Sequence, residues 1–183
     1  MSFRSLAALA CLTLFLASTA PAADLLTLDA EKSKIDFVGK KSDGNHAGGF
    51  KAFKVKSVAD FENPTASQLE IEIDTTTLWS DDEKLTNHLK NPDFFDVRKF
   101  PKITFKSTGV EPSEEEGKAK ITGDLTMLGK TVKVSVPCEA AITDDSVEVN
   151  AKFKIDRTLW GMEYGVGKIE KDVDITAKLV LNR

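Results

Sequence analysis

Apolar and polar residues alternate along most of the chain after residue 24, and this pattern limits the possible folds more than any other feature. The segments 69–74, 147–155 and 173–181 show it most regularly, with Leu, Ile, Val, Phe or Ala at every second position. Shorter stretches at 35–37, 103–105, 121–127 and 132–138 repeat it. A period of two is typical of β-strands, and one apolar face beside one polar face is typical of an antiparallel sheet. The chain is therefore expected to be all-β.

The connections agree with antiparallel strands in sequence order. Residues 128–130 are short enough for a hairpin, while 112–117 and 143–146 are polar turns. About eight strands fit a meandering barrel or a two-sheet sandwich, and a barrel removes the exposed edges of such long strands. A barrel of about eight strands is filled by its own side chains or holds one ligand. The pattern alone leaves that choice open.

The segment 80–101 interrupts the alternation and predicts a short helix. Ser80 and Glu83 have the spacing of a capping box, in which each side chain bonds the backbone N–H of the other residue. Leu85 and Leu89 share one helical face, and Pro92 is expected to end the helix. Two large rings follow at Phe94 and Phe95. We therefore expect a helix and turn that press these rings against one end of the barrel.

The N-terminus has the features of an export signal. Arg4 precedes an apolar run over 6–17, and small residues offer cleavage after Ala22 or Ala23. Residues 1–23 are predicted to be this signal, and 24–183 the mature domain, periplasmic or secreted and without a membrane span after cleavage. The alternatives are a lipoprotein signal ending at Cys11 and an uncleaved anchor.

Export leaves Cys138 as the single cysteine of the mature chain, so no internal disulfide is expected. Cys138 continues the apolar phase of its strand and is predicted to be a small buried residue. Removal of Arg4 leaves 24 basic and 29 acidic residues, a net charge of −5. The charges are interspersed, which argues against nucleic acid or an anionic membrane as a partner.

Several ordered motifs together resemble one family. They are HLKNPDFFDV at 88–97, FPKITFKST at 100–108, GDLTMLGKT at 123–131, RTLWGMEYG at 157–165 and DVDI at 172–175. They resemble the YceI-like family of exported, lipocalin-like polyisoprenoid-binding proteins. The resemblance implies an eight-stranded antiparallel lipocalin-like barrel, closed at one end by one short helix. It also implies a carrier of an isoprenoid or other long-chain lipid, such as a quinone or a polyprenyl phosphate, without a cofactor. Glu31-Lys32 and Lys40-Lys41 stand where many members carry histidines, and His46 comes later in the chain.

The inward phase of the strands and the two rings after the helix supply the candidate wall of the cavity. It consists of Phe37, Phe50, Ile71, Ile73, Phe94, Phe95, Phe105, Leu125, Met127, Val134, Phe153, Trp160, Ile175 and Leu179.

Three polar residues are candidates for contact with a lipid head group, namely His88, Arg157 and Tyr164. Arg157 has the alternative of an ion pair with an acid of the helix or hairpin motif: Asp93, Asp96 or Asp124. His88 has the alternative of a hydrogen bond to Asp93 or Asp96.

Two further function classes stay open at this point. A hydrolase would have to rest on His88 with a nearby aspartate and an unplaced serine, and no nucleophile motif supports it. A zinc site would need His46 and His88 to meet, although their spacing matches no metal motif. A structural or interaction protein whose barrel is packed solid is the third reading. Whether two barrels pair as a homodimer is a separate question that the sequence leaves open. We expect no catalytic residue and no metal.

Overall fold

The computed structural model describes residues 23–183, so the predicted signal at 1–23 lies outside the described residues apart from Ala23. The strands before the helix are β1 (Asp24–Leu28), β2 (Lys34–Lys41), β3 (Gly44–Phe50), β4 (Phe53–Ala59), β5 (Gln68–Asp74) and β6 (Leu78–Ser80). After the helix α1 (Glu83–Leu89) come β7 (Lys102–Pro112), β8 (Lys118–Met127), β9 (Lys130–Ile142), β10 (Ser146–Asp156) and β11 (Asp172–Asn182). Short 3-10 turns occupy Pro64–Ala66, Thr75–Thr77 and Arg157–Trp160.

Eight of these strands close an antiparallel barrel, as predicted. Its order is β1-β4-β5-β7-β8-β9-β10-β11, and the pairs Thr27–Asn182 and Leu28–Leu181 join the last strand to the first. The opposite half of β11 pairs with β2, which continues through β3 to β6. Because the strands run antiparallel, β2, β5, β8 and β10 all end at one rim, here called the upper end. Helix α1 and residues 157–171 cover this end.

The predicted helix is present, but its predicted capping box is wrong. The N-cap is Asp82, whose side chain accepts from the backbone N–H of Leu85 at 2.8 Å. Ser80 belongs to β6, and its hydroxyl donates to the carbonyl of Asp82 at 2.8 Å. An aspartate directly before the helix reaches the free N–H groups better than a residue still held in a sheet.

Strand β3 was missed by the alternation because its sequence, GNHAGGF, is rich in glycine and resembles a turn. The glycines are explained by close packing. A Cβ atom on Gly48 would lie 2.5 Å from the ring of Phe37 and 2.6 Å from the carbonyl oxygen of Trp79. Any side chain at this position would displace the ring of Phe37 from the barrel interior. Strands β1 and β4 were also not assigned from the sequence.

The buried apolar residues of the barrel form two clusters, one toward each end. The upper cluster is built around Leu78, Phe94 and Trp160, under the helix and the 157–171 segment. The lower cluster consists of Leu26, Val147, Leu179 and Leu181, where β1 closes against β10 and β11. The space between the two clusters is not filled by side chains, and it contains the candidate site.

Candidate functional site

An apolar cavity of about 380 Å³ occupies the barrel between the two clusters. Its wall is formed almost entirely by aliphatic and aromatic side chains from the inward faces of the strands. The residues on the wall that the sequence predicted are Phe37, Phe50, Ile71, Ile73, Phe94, Phe95, Phe105, Leu125, Met127, Val134, Phe153, Ile175 and Leu179.

Trp160 is the predicted wall residue that the structure places elsewhere. Its side chain is 1% exposed in the upper cluster, and its indole N–H donates to the carbonyl of Leu125 at 3.0 Å. A large ring with a buried donor needs a fixed acceptor, and the β8 backbone supplies one. Trp160 is therefore part of the core behind the wall.

An aromatic plug, formed by Phe94 and Phe95, lies at the upper end of the cavity. The ring of Phe95 contacts Phe50 edge to face with centroids 5.7 Å apart, and lies 6.2 Å from Phe37. The backbone N–H of Phe95 donates to the carbonyl of Leu89 at 3.0 Å, which fixes the turn after the helix. The plug predicted from the sequence is thus seated against the barrel by ring contacts to β2 and β3.

Beside the plug, His88 and Tyr164 meet across the mouth of the cavity. Their rings pack edge to face at 4.8 Å, and the ring of Phe94 packs against both. The Nε2 atom of His88 lies 3.0 Å from the carboxylate of Asp93, as the hydrogen-bonded alternative proposed. Tyr164 is 46% exposed. The contact between His88 and Tyr164 joins the helix to the segment 157–171 at the mouth of the cavity.

Arg157 forms none of the ion pairs that the sequence suggested. It is 3% exposed, and its guanidinium donates to the backbone carbonyls of Met162, Ile169 and Glu170. Burial lowers the pKa of this guanidinium. We call residues 157–171 the mouth segment. Met162 lies on its first arm, and Ile169 and Glu170 lie on its second arm. By bonding the carbonyls of all three, Arg157 holds the two arms together beneath the cavity opening.

The hairpin between β2 and β3 contributes the remaining side of the mouth. Lys41 and His46 line the cavity there. The Nδ1 atom of His46 lies 3.0 Å from Asp81, whose other oxygen accepts from the backbone N–H of Ala47 at 2.9 Å. The hydrogen bond from the backbone N–H of Ala47 has the larger effect and the contact with His46 the smaller, and both lower the pKa of Asp81. The carboxylate therefore ties the hairpin to the start of the helix.

Asp81→Asn is expected to lower the unfolding midpoint at neutral pH and to have a smaller effect in acid. The folded pKa of Asp81 lies below its ordinary value of 3.8, so its stabilisation is fully present above pH 3.8. It is lost as the pH falls through the folded pKa. Urea unfolding of both proteins at pH 7 and pH 3 measures this, with Asp144→Asn in an exposed turn as control. An equal gap between wild type and Asp81→Asn at both pH values would contradict the role of the carboxylate.

Cys138 is buried and free, as predicted, and it lies on the cavity wall. Burial raises the pKa of its thiol, which keeps it protonated and poorly nucleophilic. Its small side chain faces Ala151 across the β9–β10 pair. Small residues at this level leave the interior open.

Sequence reasoning missed several residues of the wall. Ile103, Ile121, Val136 and Ile155 have the same inward phase as the predicted residues, so the alternation was a sufficient signal for them. Others are Ile35, Leu69, Leu85, Leu89, Val149, Ala151, Met162, Ile169, Val173 and Ala177. No sequence signal placed Lys41, His46 or Glu170 at the mouth, because their position depends on how the hairpin and the mouth segment fold back.

Within residues 23–183, no three His, Cys, Asp or Glu side chains are grouped closely enough to hold a metal ion. His46 and His88 each pair with a separate aspartate. None of the helical segments in that same range has the length and apolar character needed to cross a membrane.

Sequence comparison matches the YceI-like domain to residues 26–181. The UPF0312 protein of Pseudomonas putida strain GB-1 is 39% identical over 88 residues, which are 48% of this chain and 45% of that protein. The match thus spans less than half the length of that relative. Protein YceI of Escherichia coli O157:H7 is 29% identical over 134 residues, 70% of this chain and 69% of that protein.

Solved structures show the same fold. BcnA of Burkholderia cenocepacia superposes with a TM-score of 0.78 at 25% identity, covering 84% of this chain and 98% of its own. A polyisoprenoid binding domain from Saccharophagus degradans, implicated in plant cell wall breakdown, superposes with a TM-score of 0.66 at 13% identity. It covers 87% of this chain and 99% of its own.

Proposed function

The chain belongs to the YceI-like family, and we propose that it is an exported carrier that binds an isoprenoid lipid in its barrel cavity. The observation that carries the proposal is the apolar cavity of about 380 Å³ with its polar residues gathered at one mouth. Each methylene-sized group moved from water into such a cavity contributes roughly 0.8 kcal/mol. A lipid tail is therefore held without a strong polar contact.

The head group is proposed to lie at the mouth, near His88 and Tyr164. Both side chains are partly exposed there, and both line the cavity. The backbone carbonyls of the mouth segment already engage Arg157, which makes it a support of the mouth rather than the first contact of a head group. A quinone oxygen or a phosphate is the class of head group that these donors suit.

Two other functions are less well supported by the geometry. An interaction protein would suit a barrel packed solid, whereas this one encloses an open space. A hydrolase would need a nucleophile beside His88, but the ring is packed between Phe94 and Tyr164 and bonded to Asp93.

The test is native mass spectrometry of the full chain purified from an exporting bacterial host, followed by solvent extraction of any adduct. We expect an isoprenoid adduct on a protein whose mass corresponds to cleavage after Ala22 or Ala23.

Val134→Trp fills the cavity from its wall and is expected to lose the adduct, because the indole takes the place of the tail. Ser135→Trp adds the same ring to the exposed face of the same strand and should retain the adduct. Bare wild-type protein after incubation with prenyl lipids would reject the proposed function.

A further inference from the structure

We propose that the mouth segment is a docking surface for a neutral lipid bilayer, in which the exposed parts of Leu159, Tyr164 and Val166 contact the membrane. This inference rests on the proposed function and adds the partner with which the carrier exchanges its lipid. It follows from where the exposed apolar side chains lie, from the backbone that carries them and from the charges around them.

The exposed apolar side chains of the protein are concentrated in the mouth segment. Among residues 23–183, the large apolar residues with high exposure are Leu25, Ile142, Leu159, Tyr164 and Val166. The last three follow one another closely along the mouth segment, and each is roughly half exposed. Single apolar residues are common on protein surfaces, whereas a group of them marks a contact site.

The same segment borders the opening of the cavity. Met162, Tyr164 and Ile169 line the cavity, and the exposed Val166 lies between the last two in the chain. A bilayer in contact with Val166 would therefore lie beside the opening. A lipid could then pass between membrane and cavity without crossing open water.

The other elements of the upper end do not suit contact with a membrane interior. The tip of the hairpin between β2 and β3, residues 41–45, is exposed and polar, and two of its residues are charged. The start of the helix, residues 82–84, is exposed and carries three charges. Moving charged groups into a bilayer is costly. We therefore expect the mouth segment to make the contact while the hairpin and the helix stay on the water side.

The backbone of the mouth segment is prepared for an apolar surrounding. The N–H groups of Val166, Lys168 and Ile169 donate to carbonyls within the segment, and that of Glu170 donates to the carbonyl of Lys40. The buried guanidinium described above satisfies three of its carbonyls. A backbone group that loses water at a membrane needs a partner within the protein. A protein partner that added a strand would instead require free backbone groups along an edge.

The charges of the mouth segment are balanced. Lys168 and Lys171 are offset by Glu163 and Glu170, and Arg157 is buried. Attraction to an anionic membrane requires an excess of basic residues near the surface. The contact is therefore expected to be apolar and independent of anionic lipid. Such a contact is weak, which allows the protein to leave the membrane with its lipid.

Flotation of the protein with vesicles tests the docking surface. We expect the wild type to float with phosphatidylcholine vesicles, and replacing a quarter of that lipid with phosphatidylglycerol should change the bound fraction less than about twofold. The double variant Leu159→Ser/Val166→Ser is expected to lower the bound fraction at least about fivefold, because two apolar contacts are lost. The matched control is Leu25→Ser/Ile142→Ser, which removes the same kind of exposed side chain near the lower end and should float like the wild type. Equal losses in the two double variants, or flotation that requires phosphatidylglycerol, would overturn the inference.

A fluorescent side chain reports the contact directly. Leu159→Trp places an indole at an exposed position of the mouth segment, and Ile142→Trp places one near the lower end. Tryptophan is favoured at membrane interfaces. We expect the emission of Leu159→Trp to shift to shorter wavelength when phosphatidylcholine vesicles are added, and that of Ile142→Trp to stay unchanged. The same response in both variants would contradict a docking surface at the mouth.

Two further measurements separate this inference from its alternatives. Neither Leu159 nor Val166 lines the cavity, so native mass spectrometry of Leu159→Ser/Val166→Ser should show the wild-type lipid adduct. A wild type that keeps its adduct but does not float would overturn the docking surface and leave the carrier function in place, whereas a protein that floats but never carries a lipid would refute the carrier function. Size-exclusion chromatography without vesicles should give the same elution for both proteins. A wild-type dimer that the double variant converts to monomers would assign the apolar residues to a second copy of the chain instead of a bilayer.

Discussion

Replacing Trp160 with alanine is expected to destabilise the protein by about 3–5 kcal/mol, the usual cost of removing a large ring from a packed core. The side chain is 1% exposed, and it packs with the buried residues under the mouth segment. Its loss also leaves the carbonyl of Leu125 without the indole donor that lies 3.0 Å away. Both effects act in the same direction.

Urea unfolding at neutral pH measures this effect, and a second variant separates the two contributions. Trp160→Phe keeps most of the buried area but loses the indole hydrogen bond and part of the ring volume, so we expect a smaller cost, about 2 kcal/mol. Leu159→Ala is the neighbouring control, because Leu159 is 54% exposed and a surface change of this kind usually stays within about 0.5 kcal/mol. A Trp160→Ala protein as stable as Leu159→Ala would show that the ring is not part of the core.

The alternation predicted most of the barrel because a strand with one wet face has to follow a period of two. It failed at β3, where the ring of Phe37 and the carbonyl of Trp79 leave no room for a side chain at Gly48, and the carbonyl of Ile35 leaves none at Gly49. Those glycines remove the apolar signal from a strand whose last three residues are nevertheless buried. The helix was predicted because it interrupts the alternation. Its N-cap was not predicted, because the N-cap depends on the residue at which β6 ends, and a local motif does not reveal that residue.

The cavity wall was as predictable as the strands, because the side chains that point inward from the strands of a barrel are the ones that line its interior. Trp160 is the instructive exception. Its motif lies after the last residue of β10, where the chain has left the strand and the inward phase no longer applies. The partners of Arg157 were also beyond sequence reasoning, because they are backbone carbonyls that converge only when the mouth segment folds back on itself.

Arg157→Met is expected to release the mouth segment and to destabilise the protein by about 2–4 kcal/mol. The guanidinium holds the carbonyls of Met162, Ile169 and Glu170, and these would be left without their donor. Removing a buried charge offsets part of this loss, since no carboxylate forms an ion pair with Arg157 among the described residues. The remaining cost falls on the two arms of the segment rather than on the barrel. The expected consequence is local opening at the mouth.

Limited trypsin digestion under native conditions distinguishes local opening from general loss of stability. In Arg157→Met, cleavage is expected first after Lys168 or Lys171, which lie within the mouth segment. Ile103→Ala should lower global stability by a similar amount, since Ile103 is 5% exposed, but without this early cleavage. Arg98→Met removes an exposed arginine, and with it one trypsin site, but should leave the cleavage after Lys168 and Lys171 unchanged. Arg157→Lys keeps the charge, but a single ammonium group cannot reproduce the planar fork that spans three carbonyls, so we expect early cleavage there as well.

If Arg157→Met and Ile103→Ala gave the same cleavage pattern, Arg157 would be a general core residue and the mouth segment would be held by its ring contacts alone.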